Sequence, residues 1–253
     1  QLRRRPVNDS SPLIPDLDTA CAKRVGRYLD TLTKPPGSLG RLESLAVTLA
    51  AVTGEDFPRV SPPGVVVFAA DHGVAEEGVS AFPQAVTAQM VANFVAGGAA
   101  INVFARRIGA RLEVVDVGVA SDLSGPGIVH DKVRPGTRNM ARESAMTQQE
   151  TEAAMAVGRR AAERAAKAGC RCLIVGEMGI ANTTSAAAVY AALAGREAAT
   201  VVGRGTGVND TGLSAKQTAV ERGLTRHAPA WAGQDQANGT QTILRCLGGL
   251  EIA

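Results

Sequence analysis

The sequence has 253 residues, of which 45% are hydrophobic and 20% are charged, and its formal net charge is +3. A chain of this length and composition can bury a core as one large domain with a small appendage, which argues against a disordered protein. The net charge is too small to indicate nucleic-acid binding, and no basic stripe alternates with aromatic residues. We expect Arg3, Arg4 and Arg5 to form a solvated tail.

The chain contains four cysteines, Cys21, Cys170, Cys172 and Cys246, and none has the Cys-x-x-Cys spacing of a structural zinc site. Reduced thiols fit a cytoplasmic protein. We find no stretch that is long and apolar enough to cross a membrane and no signal peptide, so the sequence predicts a protein without a membrane partner.

In chain order, the periodicity of apolar residues predicts helices that alternate with short strands. The helices are expected at 18–32, 39–52 (with Ser38 as N-cap and Gly54 as stop), 83–108 (weakened at Gly97 and Gly98), 147–169 (with a Thr147–Glu150 capping box), 183–193 and 210–227. The strands are expected at 65–70, 112–119, 172–175 and 200–202, with loops at 120–146 and 228–240. This order predicts an α/β protein with a Rossmann-like, mainly parallel sheet and flanking helices.

Three predicted strands end in polar, glycine-rich turns, at residues 71–73, 176–179 and 203–207. Because the carboxyl ends of parallel strands meet at one edge of a sheet, we expect these turns to converge there. Glycines let the backbone approach a ligand closely, and helix N-termini attract anions. The sequence therefore predicts a site for a phosphorylated small molecule.

Three candidate residues keep two interpretations each. Lys216 lies early in the last predicted helix, where the dipole disfavours a cation by roughly 0.3–1 kcal/mol, so it either binds a phosphate or is simply solvated. Glu177 either takes part in the reaction, by accepting a proton or hydrogen bonds from ribose hydroxyl groups, or it accepts hydrogen bonds from nearby N–H groups of its turn. Asp71 either contacts substrate or orders its loop, as His72 beside it also could.

Two familiar nucleotide motifs are missing. The sequence contains no G-x-x-x-x-G-K-[ST] loop, and the glycines at 203–207 do not match the G-x-G-x-x-G of dinucleotide-binding proteins. A dinucleotide-dependent oxidoreductase, which predicts that motif after the first strand, is therefore disfavoured.

Six stretches resemble the nicotinate-nucleotide–dimethylbenzimidazole phosphoribosyltransferase family of cobalamin biosynthesis. They occur in the family's order and cover nearly the whole chain: 34–43 (KPPGSLGRLE), 70–90 (ADHGVAEEGVSAFPQAVTAQM), 116–119 (DVGV), 134–137 (RPGT), 176–184 (GEMGIANTT) and 202–216 (VGRGTGVNDTGLSAK). The resemblance implies transfer of the phosphoribosyl group of nicotinate mononucleotide to 5,6-dimethylbenzimidazole, without a metal or cofactor, by a homodimer.

The resemblance also implies roles for individual residues. It makes Glu177 catalytic, close to the sugar and the acceptor base, and assigns phosphate binding to Gly179, Gly205, Gly207 and Lys216. Substrate contacts are expected at Asp71, Phe82, Gln89, Met90, Gly176, Met178, Asn182, Thr183, Gly203 and Thr206. Phe82 and Met90 stand where some members have serine and glutamine, which leaves the preferred acceptor base open.

The family's proposed general base is a glutamate in a Gly-Glu-Gly motif near its natural C-terminus, and the sequence in hand ends before such a motif. We therefore expect a truncated protein, in which residues 1–37 contribute to an incomplete small helical domain and residues 38–253 form the large α/β domain. A non-catalytic relative that binds nicotinate mononucleotide remains the alternative.

From this we expect the 253-residue chain to turn over nicotinate mononucleotide and dimethylbenzimidazole slowly. Loss of a general base typically lowers a rate by about 10²–10⁴. Steady-state formation of α-ribazole 5′-phosphate measures the rate, and rates near those of a full-length family member would contradict the expectation.

Overall fold

The computed structural model describes residues 14–253, so the predicted tail at Arg3, Arg4 and Arg5 lies outside the described residues. The chain divides into two compact units between Val60 and Ser61. Each unit is described by itself below.

The N-terminal unit consists of two packed helices, α1 (Thr19–Thr31) and α2 (Arg41–Thr53). Cys21 and Val25 of α1 pack with Ala50 of α2 in a small buried cluster. Both predicted helices are confirmed, and Gly54 ends α2 in the left-handed conformation. However, α2 begins at Arg41 with Gly40 as its N-cap, and not at Leu39 with Ser38 as N-cap, because Gly40 takes a φ of +56°, which a helix cannot continue through.

The boundary between the units also lies later in the chain than residue 37. Helix α2 packs on α1 within the N-terminal unit. The assignment of residues 1–37 to a small domain of the whole protein stays a prediction.

The C-terminal unit is built on a parallel four-stranded sheet with the order β3-β2-β1-β4. Its strands are β1 (Pro63–Ala70), β2 (Arg111–Gly118), β3 (Ile128–His130) and β4 (Cys172–Met178). All eight residues of β1 are buried, as expected for a central strand covered on both faces. The predicted α/β class with a parallel sheet is confirmed.

Helices cover both faces of this sheet. Val65, Val67 and Ala69 of β1 pack with α3 (Val86–Ala96) and α4 (Ala100–Arg107) on one face. Val66, Phe68 and Ala70 pack with α5 (Gln148–Lys167) on the other face. Residues C-terminal to β4 form a helical cluster of α6 (Asn182–Ala194), α7 (Ala198–Val201), α8 (Asp210–Trp231) and α9 (Gln236–Leu247).

Two strand predictions differ from the structure. The predicted strand at 200–202 is wrong: its first two residues end α7, where Ala198 packs into the helical cluster, and Val202 is the C-cap. Three residues are too few for periodicity to separate a strand from a helical turn. Strand β3 was expected to be loop, because three residues among glycines and a proline carry no strand pattern.

The segment Val86–Arg107 is apolar and long enough to cross a membrane by length and composition, which corrects our expectation that no stretch would be. It is not one continuous helix, since α3 ends at Ala96 before Gly97, whose φ is +81°, and α4 begins at Ala100. Val91, Phe94 and Ala105 pack on the sheet.

The C-terminal region is more ordered than the sequence predicts. Residues 228–240 were expected to be loop, but α8 continues to Trp231 and α9 begins at Gln236, capped by Asp235. A 3₁₀ turn follows at Leu250–Ile252, and Leu250 is fully buried in the cluster beneath the sheet. The Thr147–Glu150 capping box of α5 is confirmed.

A first test of this packing is Gly73→Ala, in the 3₁₀ turn that follows β1. A Cβ on Gly73 would lie 2.6 Å from the Thr137 carbonyl oxygen and 2.5 Å from the Arg138 carbonyl carbon, so backbone must move. We expect a loss of about 1–3 kcal/mol in the free energy of unfolding, measured by urea denaturation. The control Gly203→Ala, whose Cβ would meet nothing within 4 Å, should unfold like the parent.

Candidate active site

The turns after β1 and β4 meet at the carboxyl edge of the sheet, as predicted. Phe68 of β1 lies opposite Glu177 of β4, and Ala69 lies opposite Met178, so both strands end at the same level. The third glycine-rich turn, at 203–207, follows α7 and not a strand. It reaches the same region by a different route, through a contact with Lys216.

Asp71 orders the loops at this edge. Its carboxylate accepts the Ala120 N–H at 2.8 Å, and its carbonyl accepts the Thr137 N–H at 2.9 Å. Its side chain is buried, and burial raises the pKa of the carboxyl group. These contacts favour the loop-ordering interpretation over a direct substrate contact.

Lys216 is only 1% exposed, although it is a charged residue. Its Nζ donates a hydrogen bond of 2.6 Å to the Thr183 hydroxyl oxygen, and a Cβ on Gly205 would lie 2.6 Å from that Nζ. Among residues 14–253, no carboxylate forms an ion pair with it, and burial lowers the pKa of its ammonium group. An ammonium buried without a counter-charge is a place where an anion would be stabilised.

The first turn of α6 faces this ammonium. Thr183 is its second residue, and Asn182 is its first. The N-cap, Ala181, has no side-chain acceptor and holds a φ of +75°, a left-handed conformation that is rare for alanine. The first N–H groups of α6 therefore lack a side-chain cap, and their partial positive charge adds to that of Lys216.

The glycine-rich turn at 203–207 is held on both sides. Arg204 donates to the Val208 carbonyl at 3.0 Å and pairs with Asp210 at 2.6 Å. The Thr206 hydroxyl oxygen accepts the Ala81 N–H at 3.4 Å. Gly203 and Gly207 are exposed, and a Cβ on either would meet nothing within 4 Å. Of these glycines, only Gly205 lies against the lysine.

Gly179 has a contact that the sequence did not indicate. A Cβ there would overlap the Ala70 carbonyl oxygen and lie 3.1 Å from Nε2 of His72. Close packing on the end of β1 thus accounts for this glycine. Its predicted role in phosphate binding stays a prediction.

Glu177 lies near the end of β4 and remains accessible to solvent. Partial burial raises the pKa of its carboxyl group, and the negative charge of Glu251 raises it further, whereas His72 lowers it. A groove of about 620 Å³ is lined by Glu177, Gly176, Asn182 and Thr183 together with apolar side chains such as Val175 and Tyr190. The groove brings the predicted catalytic carboxylate and the first turn of α6 to one space.

The residues predicted to form the wall of the acceptor pocket lie in separate places. Phe82 is 52% exposed and lines a cavity of about 250 Å³ beside His72 and Gln84. Gln89 is exposed on α3, whereas Met90 packs with Met178 against the core between α3 and the sheet. Neither Gln89 nor Met90 lines the cavity beside Phe82.

Sequence reasoning missed Glu251. Its carboxylate lies 3.0 Å from Nε2 of His72, and the imidazole is 1% exposed. Burial lowers the pKa of His72, but the charges of Glu251, Asp71 and Glu177 outweigh burial, so the pKa lies above its usual value. The Gly248–Gly249 pair before Leu250 was the available signal, since such a pair lets a carboxylate approach a buried ring.

Across residues 14–253, no three His, Cys, Asp or Glu side chains are grouped so that they could hold a metal ion.

Comparison with known families gives a consistent result. A family described as phosphoribosyltransferase matches residues 14–253. A nicotinate-nucleotide–dimethylbenzimidazole phosphoribosyltransferase of Chromobacterium violaceum is 54% identical over 247 residues, which cover 98% of this chain and 69% of that protein. One of the same name from Chloroflexus aurantiacus is 50% identical and covers 97% and 68%.

Solved structures agree with the sequence comparison. The crystal structure of CobT from Thermus thermophilus superposes with a TM-score of 0.84 at 49% identity, covering 92% of this chain and 67% of that chain. A structure of the nicotinate-nucleotide–dimethylbenzimidazole phosphoribosyltransferase from the same organism gives a TM-score of 0.85 at 46% identity.

The buried ammonium yields a stability prediction. Because the pKa of Lys216 is lowered on folding, the unfolded chain binds more protons, and the lysine destabilises the fold at neutral pH. We expect Lys216→Met to be more stable than the parent without ligand, by on the order of 1 kcal/mol. The difference should shrink as the pH rises through 10.5, the ordinary lysine value. Urea denaturation at several pH values measures it, and a less stable variant at neutral pH would contradict the prediction.

Proposed function

This chain belongs to the nicotinate-nucleotide–dimethylbenzimidazole phosphoribosyltransferase family, and we propose that it moves the phosphoribosyl group of nicotinate mononucleotide onto 5,6-dimethylbenzimidazole. The bond between the sugar C1′ and the nicotinate nitrogen breaks, and a bond from C1′ to the benzimidazole nitrogen forms. Nicotinate leaves, a proton leaves the acceptor, and α-ribazole 5′-phosphate results. This pentosyl transfer supplies the lower ligand of cobalamin.

The buried Lys216 ammonium is the observation that carries the proposal. It donates a hydrogen bond to Thr183 in the first turn of α6, and it lies against Gly205. A 5′-phosphate would supply the negative charge that this ammonium lacks, and charge-assisted hydrogen bonds to phosphate are among the strongest in proteins. The same arrangement would hold the donor in a fixed orientation.

Glu177 suits the reacting end of the donor. When the bond from C1′ to the pyridinium nitrogen breaks, that nitrogen becomes neutral and positive charge develops on the sugar carbon. A carboxylate fixed beside that carbon stabilises this charge more in the transition state than in the ground state. Glu177 is accessible in the groove that also contains Thr183, so one donor molecule could contact both.

Phe82 supports a flat acceptor. Its ring is largely exposed beside a cavity of about 250 Å³, where an aromatic base could stack on it. The structure offers fewer apolar groups from α3 than the sequence predicts, since Met90 is used in the core.

Two further parts of the proposal come from the resemblance and from composition. We infer a homodimer, as in the family, and a cytoplasmic location, for which the four free cysteines are suited.

Calorimetry with two ligands tests the phosphate assignment. The parent chain should bind nicotinate mononucleotide about 10–100 times more tightly than the nucleoside that lacks the phosphate, because only the former meets Lys216. In Lys216→Ala this preference should largely disappear. The control Arg222→Ala removes an exposed cation of the same helix that pairs with Glu77, and it should keep the preference.

Equal preference for the phosphorylated ligand in Lys216→Ala and in the parent would show that the phosphate binds elsewhere. If the chain binds nicotinate mononucleotide but forms no α-ribazole 5′-phosphate, it is a non-catalytic binder and not a transferase.

A further inference from the structure

A buried histidine joins the ends of β1 and β4 to the C-terminal 3₁₀ turn. His72 follows β1 directly, and its Nε2 lies 3.0 Å from Oε1 of Glu251. The imidazole is 1% exposed and the Glu251 side chain 13% exposed. Such a pair, shielded from water, is much less screened than a surface ion pair.

Two glycines enclose the imidazole ring. A Cβ on Gly179 would lie 3.1 Å from Nε2 and 3.2 Å from Cδ2 of His72. A Cβ on Gly249 would overlap Cε1 of the ring and the Glu251 carboxylate. The backbone of two different segments therefore packs on the ring, which fixes its position relative to β4.

The charges around His72 are all negative. Asp71 adjoins it in the chain, Glu251 pairs with it, and Glu177 interacts with it from β4. Burial by itself would favour the neutral imidazole, but these three carboxyl groups outweigh burial and raise the pKa of His72. A protonated ring is the state that their combined charge stabilises.

Glu177 experiences the opposing effects of its two neighbours. Partial burial and the Glu251 carboxylate both raise the pKa of Glu177, and the His72 charge lowers it. Removal of the charge on His72 would leave Glu177 beside another carboxylate without compensation. Glu177 would then bind a proton more readily.

We propose that His72 is a positioning residue of the transfer reaction, whose imidazolium, held by Glu251, keeps the Glu177 carboxylate ionised beside the sugar carbon. This inference rests on the proposed function, because only the transfer gives the ionised carboxylate a role. A protonated Glu177 would lose the negative charge that stabilises the developing cation.

NMR titration of the 253-residue chain tests the proposal. The chain has three histidines, so the ring nitrogens of His72 can be assigned by substitution. We expect the titration midpoint of His72 to lie above 6.5, the ordinary histidine value. In His72→Gln, which keeps a neutral donor toward Glu251, the midpoint of the Glu177 carboxyl carbon should rise, because the charge that lowers its pKa is gone. Glu177→Gln identifies the resonance.

The matched control is His130→Gln, because His130 is an exposed histidine on β3. It should leave the Glu177 midpoint unchanged. A His72 midpoint at or below 6.5, or the same Glu177 midpoint in His72→Gln and in the parent, would overturn the proposal.

A second variant keeps the test decisive if His72→Gln does not fold. In Glu251→Gln the midpoint of His72 must fall, because its paired carboxylate is gone, and an unchanged midpoint overturns the proposal.

Addition of nicotinate mononucleotide separates this inference from the proposed function. A Glu177 resonance that the nucleotide moves, with no midpoint shift in His72→Gln, supports the transferase site and rejects the role of His72. A midpoint shift with no effect of the nucleotide supports the charge coupling and contradicts the proposed function.

Discussion

Close approach of backbone segments at the end of β1 is the constraint on which the site depends. The turn after β1 packs on the backbone of Arg138 and Asn139 through Gly73, and the turn after β4 packs on Ala70 through Gly179. Gly249 brings the C-terminal 3₁₀ turn against the His72 ring. A side chain at any of these positions would separate the segments. The functional side chains project from these segments. Their relative positions are therefore set by close packing at glycines, which leaves little conformational freedom.

The site places two regions of opposite charge beside one short stretch of chain, residues 177–183. Glu177, with Glu251 near it, provides negative charge at the end of β4. A few residues later, at the start of α6, the Thr183 hydroxyl oxygen accepts a hydrogen bond from the ammonium group of Lys216, which lies on α8. The left-handed Ala181 makes the abrupt transition between strand and helix. A substrate with an anionic end and a carbon that becomes cationic matches this order. Fixed charges of this kind need little reorganisation during a reaction.

The sequence predicted the elements that have length and regular patterns. Strand β1, helix α5 with its capping box and the convergence of the turns after β1 and β4 all follow from periodicity and local hydrogen bonding. Prediction from the sequence failed where tertiary contacts determine the local structure. Residues 200–202 were predicted as a strand but end a helical turn, and Leu250, for which no element was predicted, is a core residue. Likewise, a local pattern could not show that Glu251 would reach His72, because the two are distant in sequence and meet only through the folded sheet.

Strand β4 has one hydrogen-bonded neighbour among the described strands, and its other side faces away from β1. Leu173, Ile174 and Val175 on it are 38%, 38% and 68% exposed. An apolar strand with unpaired N–H and C=O groups is a template for addition of a further strand, from the same polypeptide or from another molecule. Unless such a strand is supplied, concentrated solutions of this chain should self-associate through β4. Glu177 near the end of this strand would then be close to the point of association, and ligand binding would depend on protein concentration.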